Sequence, residues 1–552
     1  LLLDYPYIVY NAEELFFLNI KRSLEFLLQR DQRGLTMVAL RSLGMPRPVL
    51  SGLILLVAIA CKGTSGPSPE ESTPMATVST PPQHPILGQS IAHLHGKLVR
   101  GELKVEELVR FYLERIERYN LKSDGGLRAV ISVNKKALDT ARAMDGLPAA
   151  EKARTDLLWG IPILVKDNIE TLDDLPTTAG STALKSFFPR RDARLMEHLR
   201  KRGIIVLGKA NLTSWAGVRG TPGWSAVGGQ TANPYGETLS PSGSSSGSAA
   251  AVAAGLAVAA IGTETMGSIV SPSSANGVVG IRPANGLVAQ GGIVPIMLPL
   301  DTAGPIARRV EDAAILLSGM AEPSGDGRDF PALAQNGSLK GKRIGYVEVP
   351  GDSPMAAIWN EARQDLVAGG AEVVVFQDQE IEASGCNVDA VLTAGLKIDL
   401  ERYLKALPRE IPVHSVGELV RYNEKTPAEK ASNFFPDLLV ESLKMTSPER
   451  RLRESLSPCQ KAARDWFALA KKQRLDVVVD FADSSGTSFG SFAGLSYMSI
   501  PMGGTDETGP IGMGIYVDQG REDMMLAVAA GFEAQSKGRH LRWPQGFEPM
   551  QP

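Results

Sequence analysis

The sequence is poor in cysteine: Cys61, Cys386 and Cys459 are the only three in 552 residues. They are too few and too scattered for a disulfide scaffold or a zinc site, so stability is expected to come from packing. Histidine is also scarce, with six residues. His93 and His95 fall at a polar helix start and His198 among charges, and none has the spacing of a metal-binding pair. No charge of one sign dominates, since 58 Lys and Arg face 61 Asp and Glu for a formal charge of −3. A basic groove for nucleic acid is thereby excluded as the main function.

Long apolar runs are missing as well. The run from Leu50 to Ala60 spans only about 16 Å as a helix, roughly half a bilayer, which disfavours a permanent membrane helix. Arg41 and Arg47 precede it and small residues end it at Ala58-Ile59-Ala60-Cys61, the order of a secretory signal with a lipobox-like end. Residues 37–61 are therefore expected to be a signal segment, with Cys61 as a lipid-carrying membrane tether. Residues 1–36 form an unassigned extension, and the Pro/Ser/Thr-rich residues 62–83 form a flexible linker. This places the protein in the cell envelope or periplasm; a segment that is no signal would place it in the cytoplasm.

What is abundant is apolar residues, 43%, and glycine, 56 residues or about 10% against an average of about 7%. From Pro85 the chain reads as a globular α/β body, residues 84–552. Leu98, Leu103, Leu108, Phe111, Leu113 and Ile116 are spaced as an amphipathic helix pair. Residues 159–165, 203–207, 477–479, 500–501 and 513–517 are candidate strands between helical stretches, which predicts a central mixed β-sheet covered by helices. Residues 320–475 carry strands at 342–347 and 372–376, a helix at 355–368 and then charged helix, and are expected to be a peripheral layer.

Glycine and serine concentrate between Gly228 and Arg308. Gly243-Ser244-Ser245-Ser246-Gly247-Ser248 leads into a small-residue helix, and Gly262-Thr263-Glu264-Thr265-Met266-Gly267-Ser268-Ile269-Val270 follows an apolar strand. Small residues permit close backbone approach, so amides can line a cavity instead of pairing in a ladder. Two decoys lie nearby. Gly203 to Ala210 approximates a phosphate-binding loop, but Ala210 stands where a hydroxyl must hold magnesium. Gly243 to Gly247 fits a nucleophile elbow, which would make Ser245 the nucleophile of an esterase with His414 or His540 as base, yet loop residues stand where the elbow needs a strand.

Taken together, Gly160-Ile-Pro-Ile-Leu-Val-Lys166-Asp167, the serine run, Gly262 to Val270, Gly277-Val-Val-Gly280-Ile-Arg282-Pro283 and Asp301-Thr-Ala-Gly-Pro305-Ile-Ala-Arg308 resemble the motifs of the amidase signature enzymes. Ile500-Pro501-Met502-Gly503, Arg521-Glu522-Asp523 and Gly531-Phe532-Glu533 are similar to that family's closing segment. The resemblance covers about Pro85 to His540 and is greatest to the branch that includes peptide amidases.

It implies an α/β/α fold and a Ser–cis-Ser–Lys triad. Carried over by position, Ser268 is the nucleophile, Ser244 the bridging serine after a cis peptide, and Lys166 the base. The amides of Thr265, Met266, Gly267 and Ser268 would form the oxyanion hole, and Ser245 would steady Lys166. Neutral lysine at pH 7 costs about 4.6 kcal/mol from a pKa near 10.4, a shift that burial can supply. No cofactor or metal is implied. Relatives often carry an acidic residue at the Met266 position and Arg at Val270; methionine exchanges a charge for flexible apolar surface. The expected substrate is a small amide, anilide or carbamate with a bulky or aromatic group. A non-enzymatic binding protein and an amidotransferase subunit are the remaining alternatives.

Overall fold

The computed structural model describes residues 84–547 except 122–125, 149–150, 152–155, 323–327, 350, 377–384, 431–436 and 537–542. The signal-like segment, the linker, Cys61 and His540 lie outside the described residues. The predicted helix pair is α1 (Ile91–Arg100) and α2 (Val105–Asn120), which bury Ile91, Leu94, Leu98, Leu108 and Ile116. Ser90 starts α1 by accepting the amide of His93, satisfying one of the helix's unpaired donors.

Next come β1 (Val130–Val133), α3 (Ala137–Asp145), β2 (Pro162–Lys166), α4 (Arg194–Lys201) and β3 (Ile205–Ala210). The serine run opens α5 (Ser246–Ala253), followed by β4 (Ala259–Glu264), α6 (Val270–Ala275), β5 (Val279–Arg282), β6 (Thr302–Ala307) and α7 (Val310–Met320). The remainder supplies β7 (Arg343–Tyr346), α8 (Pro354–Ala368), β8 (Glu372–Val375), α9 (Pro448–Lys472), β9 (Val477–Phe481), α10 (Ser485–Ala493), β10 (Tyr497–Thr505), β11 (Gly509–Tyr516) and α11 (Glu522–Gln535).

These eleven strands join one sheet in the order β1-β3-β2-β4-β6-β5-β10-β11-β9-β7-β8, and Trp224–Ser225 pairs with Gly229–Gln230 in a separate two-stranded ribbon. It is mixed. Strand β2 runs parallel to β3 and β4, and β7 parallel to β8 and β9, while the other neighbours are antiparallel. Strands β2, β3 and β4 are buried at every position, as befits strands covered on both faces. Helix α5 can lie against them because its residues are small. A Cβ on Gly247 would stand 2.4 Å from the Ala129 carbonyl oxygen and 2.5 Å from the Asn211 nitrogen, so any larger residue would push the helix off.

Residues 320–475 contain two strands as well as helices. Strands β7 and β8 finish one edge of the sheet. The helical part contributes Val391, Leu400, Leu419 and Leu439 to an apolar cluster with Trp215, Ile296 and Met297, against which Met266 packs. Cysteine also requires a correction, because Cys386 and Cys459 form a disulfide across 73 residues, with Cα atoms 4.6 Å apart. Packing is therefore helped by one covalent link. Among the described residues no helix is long and apolar enough to cross a membrane, and no group of His, Cys, Asp and Glu could hold a metal ion.

Candidate active site

Lys166 is the last residue of β2, and its side chain is fully buried. Its amine donates to Ser244 Oγ at 2.9 Å and to the Thr263 carbonyl at 3.0 Å. Burial strips the amine of water and pushes its pKa down to about 7, with the charges of Glu264 and Asp301 opposing the fall. A substantial fraction of the amine is thus neutral near pH 7, with the Ser244 hydroxyl in contact.

Ser244 follows a cis peptide bond from Gly243. Its carbonyl accepts the Thr213 amide at 3.0 Å, which ties the serine run to the loop after β3. Ser268 reaches the same place from β4, where its carbonyl accepts the Ser245 amide at 3.1 Å. Ser268 is half-buried, whereas Lys166 and Ser244 are buried. Among the described residues no hydrogen bond joins the Ser244 and Ser268 hydroxyls; catalytic contacts of this kind tighten when substrate is bound.

Ser245 was expected to bond Lys166 directly. Instead its hydroxyl donates to the Thr263 carbonyl at 3.1 Å and accepts the Thr263 amide at 3.2 Å. The support is indirect, since that carbonyl also holds the Lys166 amine. Asn168 adds a bond from its amide to Thr263 Oγ1 at 3.0 Å.

The loop from Thr265 to Ser268 is held at both ends. Thr265 donates its hydroxyl to Asp301 at 2.6 Å, and the other oxygen of Asp301 accepts the Ile296 and Met297 amides at 2.9 Å each. Burial raises the Asp301 pKa, countered by these three bonds. Past Ser268, Glu264 Oε2 accepts the Ile269 and Val270 amides at 2.6 and 3.1 Å. Between the two carboxylates, the amides of Thr265, Met266, Gly267 and Ser268 donate to no protein acceptor among the described residues. Gly267 has φ of 77°, and a Cβ there would meet Ser271 Oγ at 2.8 Å, so glycine is required for this curl of the chain.

A narrow cleft adjoins the loop, lined by Thr263, Thr265 and Asp301 together with Ala216, Val294 and Ile296. Sequence reasoning missed Glu264, Asp301 and Asn168 as site residues, although each stands inside or beside a quoted motif. A buried carboxylate in a run of small residues is the signal that points to the first two.

The elbow geometry is not formed. No strand precedes Ser245 over residues 231–244, its hydroxyl is committed to Thr263, and the His414 amide donates to Glu418. Lys209 of the phosphate-loop decoy is fully buried in β3, bonded to Thr177 and the Ile169 carbonyl.

The amidase family model matches residues 107–447. A probable amidase of Arabidopsis thaliana is 34% identical over 459 residues, covering 78% of this chain and 86% of that protein. The crystal structure of native peptide amidase from Stenotrophomonas maltophilia is 36% identical with a TM-score of 0.75, covering 83% of this chain and 98% of that one. An amidase family protein from Bacillus anthracis is 31% identical with a TM-score of 0.76, over 83% and 92% of the two chains. With this match across the catalytic motifs and the sheet that carries them, the chain belongs to the amidase family and is a hydrolase of carbon–nitrogen bonds.

Proposed function

We propose that the protein cleaves the C–N bond of a small amide, anilide or carbamate through an acyl-enzyme on Ser268. Neutral Lys166 accepts a proton from Ser244 as Ser244 takes one from Ser268, and Ser268 Oγ attacks the substrate carbonyl carbon. The amides of Thr265 to Ser268 stabilise the resulting oxyanion, each aimed donor contributing about 3 kcal/mol. Collapse breaks the C–N bond, and the departing nitrogen takes the proton back from Lys166 through Ser244. Water then attacks the acyl group by the same relay and releases the acid.

The observation that carries this reading is the sealed contact between the Lys166 amine and Ser244 Oγ at 2.9 Å. The four unpaired loop amides support the oxyanion site. Half-buried Met266, packed against an apolar cluster, supports a preference for bulky or aromatic groups over free amino-acid amides. The test pairs labelling by a fluorophosphonate with turnover of a panel of peptide amides, anilides and aryl carbamates. Ser268→Ala should lose both label and turnover, and His414→Ala should keep both. Equal turnover of small primary amides would sink the substrate preference.

We also propose export to the cell envelope with a membrane tether through Cys61. The Cys386–Cys459 disulfide supports it, since such bonds persist in oxidising compartments. Fractionation of cells expressing the full chain tests this. Recovery of the protein in the cytosol with both thiols reduced would overturn it.

A further inference from the structure

We infer that Glu264, anchored by Tyr497, is a positioning residue that clamps the nucleophile loop. The inference rests on the Ser268–Lys166 reading above and deepens it. Glu264 ends β4 four residues before Ser268 and is fully buried. One carboxylate oxygen takes the amides of Ile269 and Val270, the two residues directly after the nucleophile. The loop of Thr265 to Ser268 is thereby closed into a ring by a side chain at its own base. A loop of small residues would otherwise have conformational freedom to lose on each turnover.

The other oxygen of Glu264 accepts the hydroxyl of Tyr497 on β10, 233 residues further along. Tyr497 is in turn held by Ser491 of α10 at 2.6 Å, and the guanidinium of Arg282 stands 5.2 Å from its ring centre. Neither Ser491 nor Tyr497 is exposed to water. The carboxylate is thus fixed from three elements of the fold, β10, α6 and the nucleophile loop. A carboxylate held in this way also acts electrostatically on the Lys166 amine, favouring its ammonium form. The charged groups that act on the Lys166 amine are Glu264 and Asp301, both favouring the ammonium, while Ser244 and the Thr263 carbonyl accept its hydrogens. Glu264 therefore limits how far burial depresses the amine, which leaves the base strong enough to accept a proton from an alcohol.

The test compares full-length wild type, Glu264→Gln, Tyr497→Phe and Ser268→Ala, with para-nitroacetanilide as probe. Glutamine keeps the shape and one acceptor but removes the charge. The expected result for Glu264→Gln is a kcat about 10- to 100-fold lower with KM nearly unchanged. The acid limb of kcat/KM should move to lower pH by about half a unit or more. Tyr497→Phe should lower kcat by a smaller factor through a loosened anchor. Amide hydrogen exchange, which needs no turnover, should quicken at Ile269 and Val270, the two amides that Glu264 accepts, in both variants and nowhere else. Unchanged exchange in that segment together with a wild-type pH profile overturns the clamp. A Glu264→Gln protein that loses activity only through a general fall in Tm, with exchange quickened throughout, also overturns it. Turnover that survives in Ser268→Ala overturns the triad instead and leaves the exchange result to decide the clamp.

Discussion

Lys209 Nζ stands 4.0 Å from Asp167 Oδ1, and neither side chain is exposed to water. One strand away, Lys166 is buried to the same degree but contacts no carboxylate, only the Ser244 hydroxyl and a carbonyl. Strands β2 and β3 are in a register that sets Val165 beside Lys209, so the two lysines are near neighbours in the sheet. Burial lowers both, and the Asp167 charge works against it for Lys209. The chain thus holds one buried lysine by a counter-charge and leaves the other bonded to a hydroxyl that can pass on a proton.

Opposite consequences are expected from removing the two amines. Lys166→Met should lower kcat on the order of 10³-fold or more, with the melting temperature little changed, because no buried carboxylate is orphaned. Lys209→Met strips the counter-charge from Asp167 and should destabilise the fold by roughly 3–5 kcal/mol. Thermal melts and single-turnover kinetics on both variants check this; a stable, active Lys166→Met protein is the contrary result.

The pH dependence follows from the protonation state that the base needs. Below a pKa of about 7 the Lys166 amine carries its proton and cannot accept another, so kcat/KM should fall as pH drops through about 7 and level off above it. A profile of kcat/KM from acid to alkaline pH is the measurement. An acid limb confined to the range of an ordinary carboxylate would point to another base.

Much of this site is written locally. An apolar run ending in lysine gives β2 and Lys166, and alternating glycine and serine give the loop that carries Ser268. The strands at 342–347, 372–376 and 513–517 were legible as short apolar runs, and they form β7, β8 and half of β11. Strand β1 was not, because it has four residues with only Val130 sealed from water. Pairings across long separations were not legible either. Nothing near Glu264 indicates Tyr497, 233 residues away, and nothing near Cys386 indicates Cys459. The hydroxyl of Ser245 could serve Lys166 or the backbone beside it, and only the register of β4 decides for Thr263.

Asp312 illustrates a buried group that the chemistry does not use. It lies in α7, accepts the Ile91 amide at 2.7 Å, and burial raises its pKa to about 7. The folded state therefore holds this proton more tightly than the unfolded chain, whose carboxyl titrates near 3.8. Its contribution to stability is fullest in acid, declines as pH rises through the interval between those values, and is lowest above about 7. Asp312→Asn keeps an acceptor for Ile91 and removes the ionisation. Denaturant midpoints should show the variant gaining on wild type between pH 5 and pH 8, by on the order of a few kcal/mol at most. A gap that is constant with pH would mean that Asp312 is already ionised at pH 5.

Met266 tests the link between pocket chemistry and substrate. Its amide belongs to the proposed oxyanion site, while the half-buried residue packs against the apolar cluster that includes Trp215 and Ile296. The two roles are separable because a backbone donor survives a change of side chain. Met266→Asp would set a carboxylate against apolar groups, so kcat/KM for aromatic anilides should fall about 10- to 100-fold, the effect of losing roughly 1.5–3 kcal/mol of apolar contact. Turnover of small primary amides, which do not reach that wall, should stay within about threefold. Parallel kinetics on both substrates distinguish the roles, since an equal loss on both would assign Met266 to the chemistry itself and leave the apolar wall without a part in selection.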